Sequence, residues 1–196
     1  GKSTQLRRLR QELDNRQFTA LFFDLEDYLD LRQPITTARL TMAVIAGASH
    51  ALGTRLGWDA DTDARSPWSR FVNFLTQTKI EGDGFGIKTG AADFRFRLKR
   101  DDVFQDRLDD FLRGRPTEVF QEANTALDSL VALAREAESG SQGVVLIVDS
   151  LDHNRSAVQF DQIRAAIRTM FDQQLRLLQF ESVQTVYCIP PYLMLQ

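Results

Sequence analysis

The sequence predicts an α/β domain in which a parallel sheet is flanked by helices. Three observations predict it. Apolar runs at 18–24 (FTALFFD), 144–149 (VVLIVD) and 183–189 (VQTVYCI) have the length and the β-branched or aromatic content of strands. The stretches between them carry helical periodicity, and strands alternating with helices pair in parallel through crossovers. The 144–149 run is apolar without alternation, as in a strand buried on both faces.

Each element follows from its pattern. Residues 4–15 place Leu6, Leu9 and Leu13 on one face of an amphipathic helix, with Arg7, Arg8 and Arg10 outward. After the 18–24 strand Pro34 interrupts the chain. Thr36 or Thr37 then caps a helix to about Leu56, on which Leu40, Val44, Ala48, Leu52 and Leu56 recur four apart. Residues 57–68, with Gly57 and Pro67, read as a loop, and Phe71, Phe74 and Leu75 as a short helix. Gly82, Gly84, Gly86 and Gly90 then punctuate short segments. Phe94, Phe96 and Leu98 alternate with Arg95, Arg97 and Lys99, the period of a half-exposed strand with both phenylalanines toward the core. The stretch of about 57–100 therefore reads as an inserted helical or hairpin segment between the 18–24 and 144–149 strands. Two helices precede the second of those strands. One, at about 101–113, turns Phe104, Leu108 and Phe111 inward. The other, at about 116–138, has Pro116 in its first turn and Phe120, Ala123, Leu127, Leu130 and Ala134 inward. A helix over 157–178 carries Ile163, Ile167, Met170, Phe171, Leu175 and Leu178. Pro190 and Pro191 stop the last strand.

Composition narrows the function. The chain has 196 residues, 43% of them hydrophobic and 26% charged, which suits one globular domain. A net charge of -3 supplies no overall field for nucleic acid or an anionic membrane. Cys188 is the sole cysteine, so no internal disulfide forms and no Cys/His ligand cluster is present. No apolar run reaches the roughly 18 residues that suggest a membrane span, and a cytoplasmic location is expected. Because the first residue is Gly, the N-terminus is expected to lie upstream.

Two short stretches carry chemistry. Gly1-Lys2-Ser3-Thr4 opens directly into a helix and matches the end of the pattern G-x-x-x-x-G-K-[ST]. There a glycine lets backbone N–H groups approach phosphate oxygens, a lysine ammonium neutralises β- and γ-phosphate charge, and a serine hydroxyl ligates Mg²⁺. The helix N-terminus adds partial positive charge. The second stretch is Val144-Val145-Leu146-Ile147-Val148-Asp149, an apolar strand that delivers a carboxylate to its C-terminal tip. Ligands of open parallel sheets bind at that edge. Asp149 is thus a candidate to hold Mg²⁺ beside Ser3.

Gly1-Lys2-Ser3-Thr4 at the head of a helix, with VVLIVDSLD downstream, resembles the Walker A and Walker B motifs of P-loop NTPases. Within them it resembles the AAA+ ATPases and the related STAND and KAP-type signalling ATPases. The resemblance implies ATP and Mg²⁺ as ligands, with Gly1, Lys2, Ser3 and Thr4 on the nucleotide and Ser3 and Asp149 on the metal. It implies that the 183–189 strand separates the Asp149 strand from one preceding Lys2. It also implies a single, incomplete ATPase core over 1–196 whose first strand and C-terminal lid lie outside the chain. The module would belong to a larger, bacterial signalling or defence protein and associate with itself or with partner domains through the core.

The chain departs from the family at two places. Ser150 stands where many AAA+ members carry the glutamate that orients the attacking water, and serine is a poor base at pH 7. Asp152 either takes over that catalytic work beside Lys2 or only caps the loop. Cys188-Ile189-Pro190-Pro191 offers no Asn or Thr as a polar sensor, although Thr185 lies within the strand. Two alternative functions remain: a nucleotide-dependent scaffold that does not hydrolyse, and a DNA-associated motor or loader using Arg95, Arg97, Lys99 and Arg100. Asp24, Glu26, Asp27 and Asp30 read as a solvated acidic loop, on a strand expected at the sheet edge away from the phosphates. Arg155, Arg164 and Arg168 read as a solvated helix face, His153 as a loop residue and His50 as a helix-surface residue.

Overall fold

The computed structural model describes residues 1–77, 90–154 and 159–194. Helix α1 (Lys2–Asn15) leads into strand β1 (Thr19–Asp24), and α2 (Thr37–Leu56) follows. The insertion contributes α3 (Pro67–Gln77) and α4 (Ala91–Arg100). Next come α5 (Asp102–Arg113), α6 (Pro116–Ala137), β2 (Val144–Asp149), α7 (Phe160–Arg168) and β3 (Val183–Tyr187). The strands form one sheet in the order β1-β2-β3, all parallel. Thr19 pairs with Val144 and Asp24 with Asp149, while Val148 pairs with Tyr187. The far edge of β3 has no strand partner among the described residues. The strand expected to precede Lys2, across β3 from β2, is not among those residues; β2 and β3 are direct neighbours.

Strand β2 is central because every one of its residues is buried, as its uninterrupted apolar run requires. Side-chain alternation divides the core between the two faces. Leu21 and Phe23 of β1 join Leu146 and Val148 of β2 under α2 and α6. On the other face Ala20, Val145 and Ile147 lie under Leu6, Leu9 and Leu13 of α1. Thr36 caps α2 by accepting from the Arg39 N–H at 3.2 Å, and Gly57 ends it in the left-handed conformation, φ 79°. From Leu40 to Ser49 this helix is buried on every side, more than its four-residue period suggested. At Gly47 it approaches the sheet so closely that a Cβ would lie 2.2 Å from the Phe23 ring.

The insertion is where the structure departs most from the expected pattern. Residues 94–99 form part of helix α4, not a strand. Phe94 and Leu98 are four apart, so the same apolar residues satisfy a helical face, and Ala, Arg, Leu and Lys favour the helix. Phe94 is fully buried, but Phe96 turns outward and is 59% exposed, with the Arg100 guanidinium 5.8 Å above its ring. Trp68, Phe71 and Phe94 are all buried, with the Phe94 ring 5.8 Å from Trp68 and 5.1 Å from Phe104. The inserted helices therefore extend the core across α6. Residues 78–89, with Gly82, Gly84 and Gly86, lie outside the described residues.

The expected 157–178 helix is also divided. Its α-helical part ends at Arg168. A wider π turn spans Thr169–Gln173 and a 3-10 turn spans Leu175–Leu178. Ile163, Ile167, Met170 and Leu178 still face inward, whereas Leu175 is 39% exposed. The change of pitch keeps the apolar side against the core while bringing Gln174 to the Thr37 hydroxyl. Arg155 and residues 156–158 lie outside the described residues.

Candidate functional site

The site forms where the N-terminus of α1 meets the C-terminal tips of the strands. Gly1 caps α1, and the Thr4 N–H donates to its carbonyl at 3.1 Å. No acidic side chain occupies the first turn, so nothing within the helix offsets its positive end. Gly1, Lys2, Ser3 and Thr4 are all exposed.

Three strand tips present polar side chains on the face that α1 covers. Val145 and Ile147 point to that face, so Asp149, two residues further, does too. Ala20 and Phe22 place Asp24 there by the same alternation, and Asp24 pairs in register with Asp149. Val186 places Cys188 there, and the Cys188 N–H donates to the Val148 carbonyl at 3.0 Å. Asp24, Asp149 and Cys188 thus form a row across the sheet beneath α1.

The chain leaves β2 through Ser150, which adopts φ 70° and ψ 3° and is 2% exposed. A left-handed conformation is costly for a residue with a Cβ. The Ser150 N–H donates to Asp149 Oδ1 at 2.8 Å, and the His153 N–H returns to the Ser150 carbonyl at 2.9 Å. This turn swings Asp152 beneath α1. Lys2 Nζ donates to Asp152 Oδ2 at 2.7 Å across 150 residues of chain, and Cys188 Sγ lies 3.4 Å from Asp152 Oδ1. Asn154, buried two residues on, donates to the Leu31 and Gln33 carbonyls, both at 2.9 Å, and ties this turn to the loop after β1. His153 Nδ1 adds a contact of 2.8 Å to Glu26.

Electrostatics follow from this geometry. Burial alone would raise the Asp152 carboxyl, but the Lys2 ammonium and the Cys188 thiol outweigh it and hold the group below the usual carboxylate range. Burial and the Asp152 carboxylate push the Cys188 thiol up to about 11, so it is a neutral donor at pH 7. Asp149 is 4% exposed and accepts from the Ser150 N–H. Buried carboxylates are ordinarily paired or bound to a cation. Asp149 Oδ, Asp152 Oδ and Cys188 Sγ approach within 4.8 Å of one another.

A groove of about 440 Å³ runs from this row past β1. Ser3, Arg7, Asp24, Asp149, Tyr28 and His50 are among its walls. Ser3 and Asp149, the expected metal pair, share the groove, while Lys2 and Asp152 meet beside it. A hydroxyl and a buried carboxylate are hard oxygen ligands that suit Mg²⁺. A neutral thiol does not compete for that ion. Thr4 is exposed on the helix, and a Cβ on Gly1 would meet no atom within 4 Å.

Sequence reasoning missed Cys188 and Asp24 as neighbours of the site. Among the described residues strand β1 lies at the edge of the sheet, yet it is the direct neighbour of β2, which brings Asp24 beside Asp149. Parity counted from Ala20, Val145 and Val186 gives the face of each side chain, but strand order and register are what bring them together. His50 is a half-buried residue in contact with Asp61, Nε2 to Oδ2 3.3 Å, and Arg95 donates to the same oxygen at 2.7 Å.

Comparison with family models, with curated proteins and with solved structures returned no match. The fold stands as an α/β arrangement of seven α-helices, among the described residues, around a three-stranded parallel sheet. No helix among those residues is long and apolar enough to cross a membrane.

Proposed function

We propose that this chain is a P-loop module that binds ATP with Mg²⁺ and hydrolyses it within a larger signalling or defence protein. The observation that carries this reading is the convergence of two distant motifs. The Lys2 ammonium reaches Asp152 at 2.7 Å, and Ser3 shares a groove with Asp149. Lys2, at the positive end of α1, is placed to exchange its carboxylate partner for phosphate oxygens. Ser3 and Asp149 would hold Mg²⁺, which when bound neutralises charge developing on the transferred phosphoryl group. Asp152 keeps Lys2 extended toward the sheet until then, and Cys188 fixes Asp152.

Asp149→Asn tests the reading, because it preserves the shape of the strand tip and removes the charge assigned to the cation. In the full-length protein, ATP binding should lose its enhancement by Mg²⁺, and turnover should fall by two orders of magnitude or more. Folding should survive. Wild-type Mg²⁺ dependence in the variant would remove Asp149 from the site.

The second reading is a nucleotide-dependent scaffold. Ser150 favours it: the position that holds a catalytic glutamate in the AAA+ pattern is buried and left-handed here. Binding without measurable phosphate release would select the scaffold.

A further inference from the structure

We infer that Asp24, at the tip of the edge strand β1, is the carboxylate that positions and deprotonates the attacking water; this rests on the reading of the site as an ATPase. Three observations carry it. First, Asp24 and Asp149 are register partners on neighbouring parallel strands, and both side chains lie on the α1 face. A group that deprotonates the water attacking the γ-phosphorus must lie within hydrogen-bond reach of that water, on the side of the sheet that the phosphates occupy. Second, Asp24 opens into the same groove as Ser3 and Asp149. Asp149 is a nearly buried charge lining that groove, and its carboxylate accepts from the neighbouring Ser150 N–H. Third, the competing carboxylate, Asp152, is not among the residues that line the groove. Asp152 Oδ2 receives Lys2, and Cys188 lies against Oδ1. Asp24 Oδ1 accepts from the Glu26 N–H at 2.9 Å, which fixes its rotamer, and Oδ2 would hold the water molecule.

In the hydrolytic step, a water molecule held by Asp24 Oδ2 attacks the γ-phosphorus. One water proton passes to the carboxylate as the new P–O bond forms. The bond from the γ-phosphorus to the bridging oxygen breaks, and its electron pair leaves on ADP. Asp24 then releases the proton to solvent, leaving ADP, inorganic phosphate and one proton.

Asp24→Asn is the variant of choice because asparagine preserves the capping bond to Glu26. In the full-length protein with Mg²⁺ and ATP, single-turnover phosphate release should fall about 10²–10⁴-fold, the range for a lost general base. Nucleotide affinity should stay within about threefold of wild type, and the melting temperature without ligand should not change. Asp24→Ser, which also caps, should reproduce the loss if folding of the first variant is in question. Near-wild-type phosphate release in Asp24→Asn, with a large loss in Asp152→Asn, would overturn the inference and return the role to Asp152. A wild-type protein that binds ATP but releases no phosphate would also overturn it, leaving the scaffold. A wild-type protein that binds no ATP would remove the ATPase reading as a whole, so the two failures are distinguishable.

Discussion

Ser150 shows how one residue can shape a site without performing chemistry. Its left-handed backbone lets the chain reverse after β2 and carry Asp152 under α1. Strain of this kind persists where surrounding contacts determine it, here the Ser150 N–H bond to Asp149 and the return bond from His153. Glycine accepts the same φ without the Cβ penalty. Ser150→Gly should therefore stabilise the fold, by about 1 kcal/mol, read as a shift of the urea midpoint at unchanged slope. A destabilised variant would mean that the serine side chain contributes more than its backbone costs. Ser150 is buried and is not among the residues that line the groove.

At the scale of elements, the insertion is held to the body of the fold by charge as well as by its aromatic core. Asp61, in the loop after α2, meets His50 of α2 and Arg95 of α4. Burial alone would raise the Asp61 carboxyl, but the contacts with His50 and Arg95 outweigh it and bring it to about 2. A carboxyl in an unfolded chain titrates near ~3.9. The folded value is the lower one, so this contribution is complete above about pH 5 and is lost as pH falls through about 2. The difference in urea midpoint between the wild type and Asp61→Asn should thus be constant at neutral pH and shrink toward about pH 2. A difference that persists unchanged at that pH would show that the loop is held by other means. The same insertion marks the limit of what the sequence revealed. The three strands were legible as short apolar runs, and α1, α2, α5 and α6 as stretches of helical period. Phe94, Phe96 and Leu98 were not, because so short a stretch satisfies period two and a four-residue helical spacing together. Packing of Phe94 against Trp68 and Phe104 joins helix propensity in deciding between them. The pitch change after Arg168 was hidden for a related reason, since the inward positions continue across it.

At the scale of the whole molecule, the arrangement brings the first residues of the chain against the tip of a strand 150 positions later. That Lys2, Ser3, Asp149 and Asp152 meet at one end of the sheet was legible in the sequence, because the first two open a helix and the others stand at and just past the tip of a strand. Their neighbours Asp24 and Cys188 were not, because only strand order and register place them in the row. The central claim is that Lys2 serves a phosphate. Calorimetric titration of Mg²⁺–ATP into the full-length protein and its Lys2→Ala variant tests it most directly. A charge-assisted contact of this kind contributes roughly 1.5–3 kcal/mol, so the account predicts at least a tenfold loss of affinity with folding intact. Equal affinity in the two proteins would contradict it.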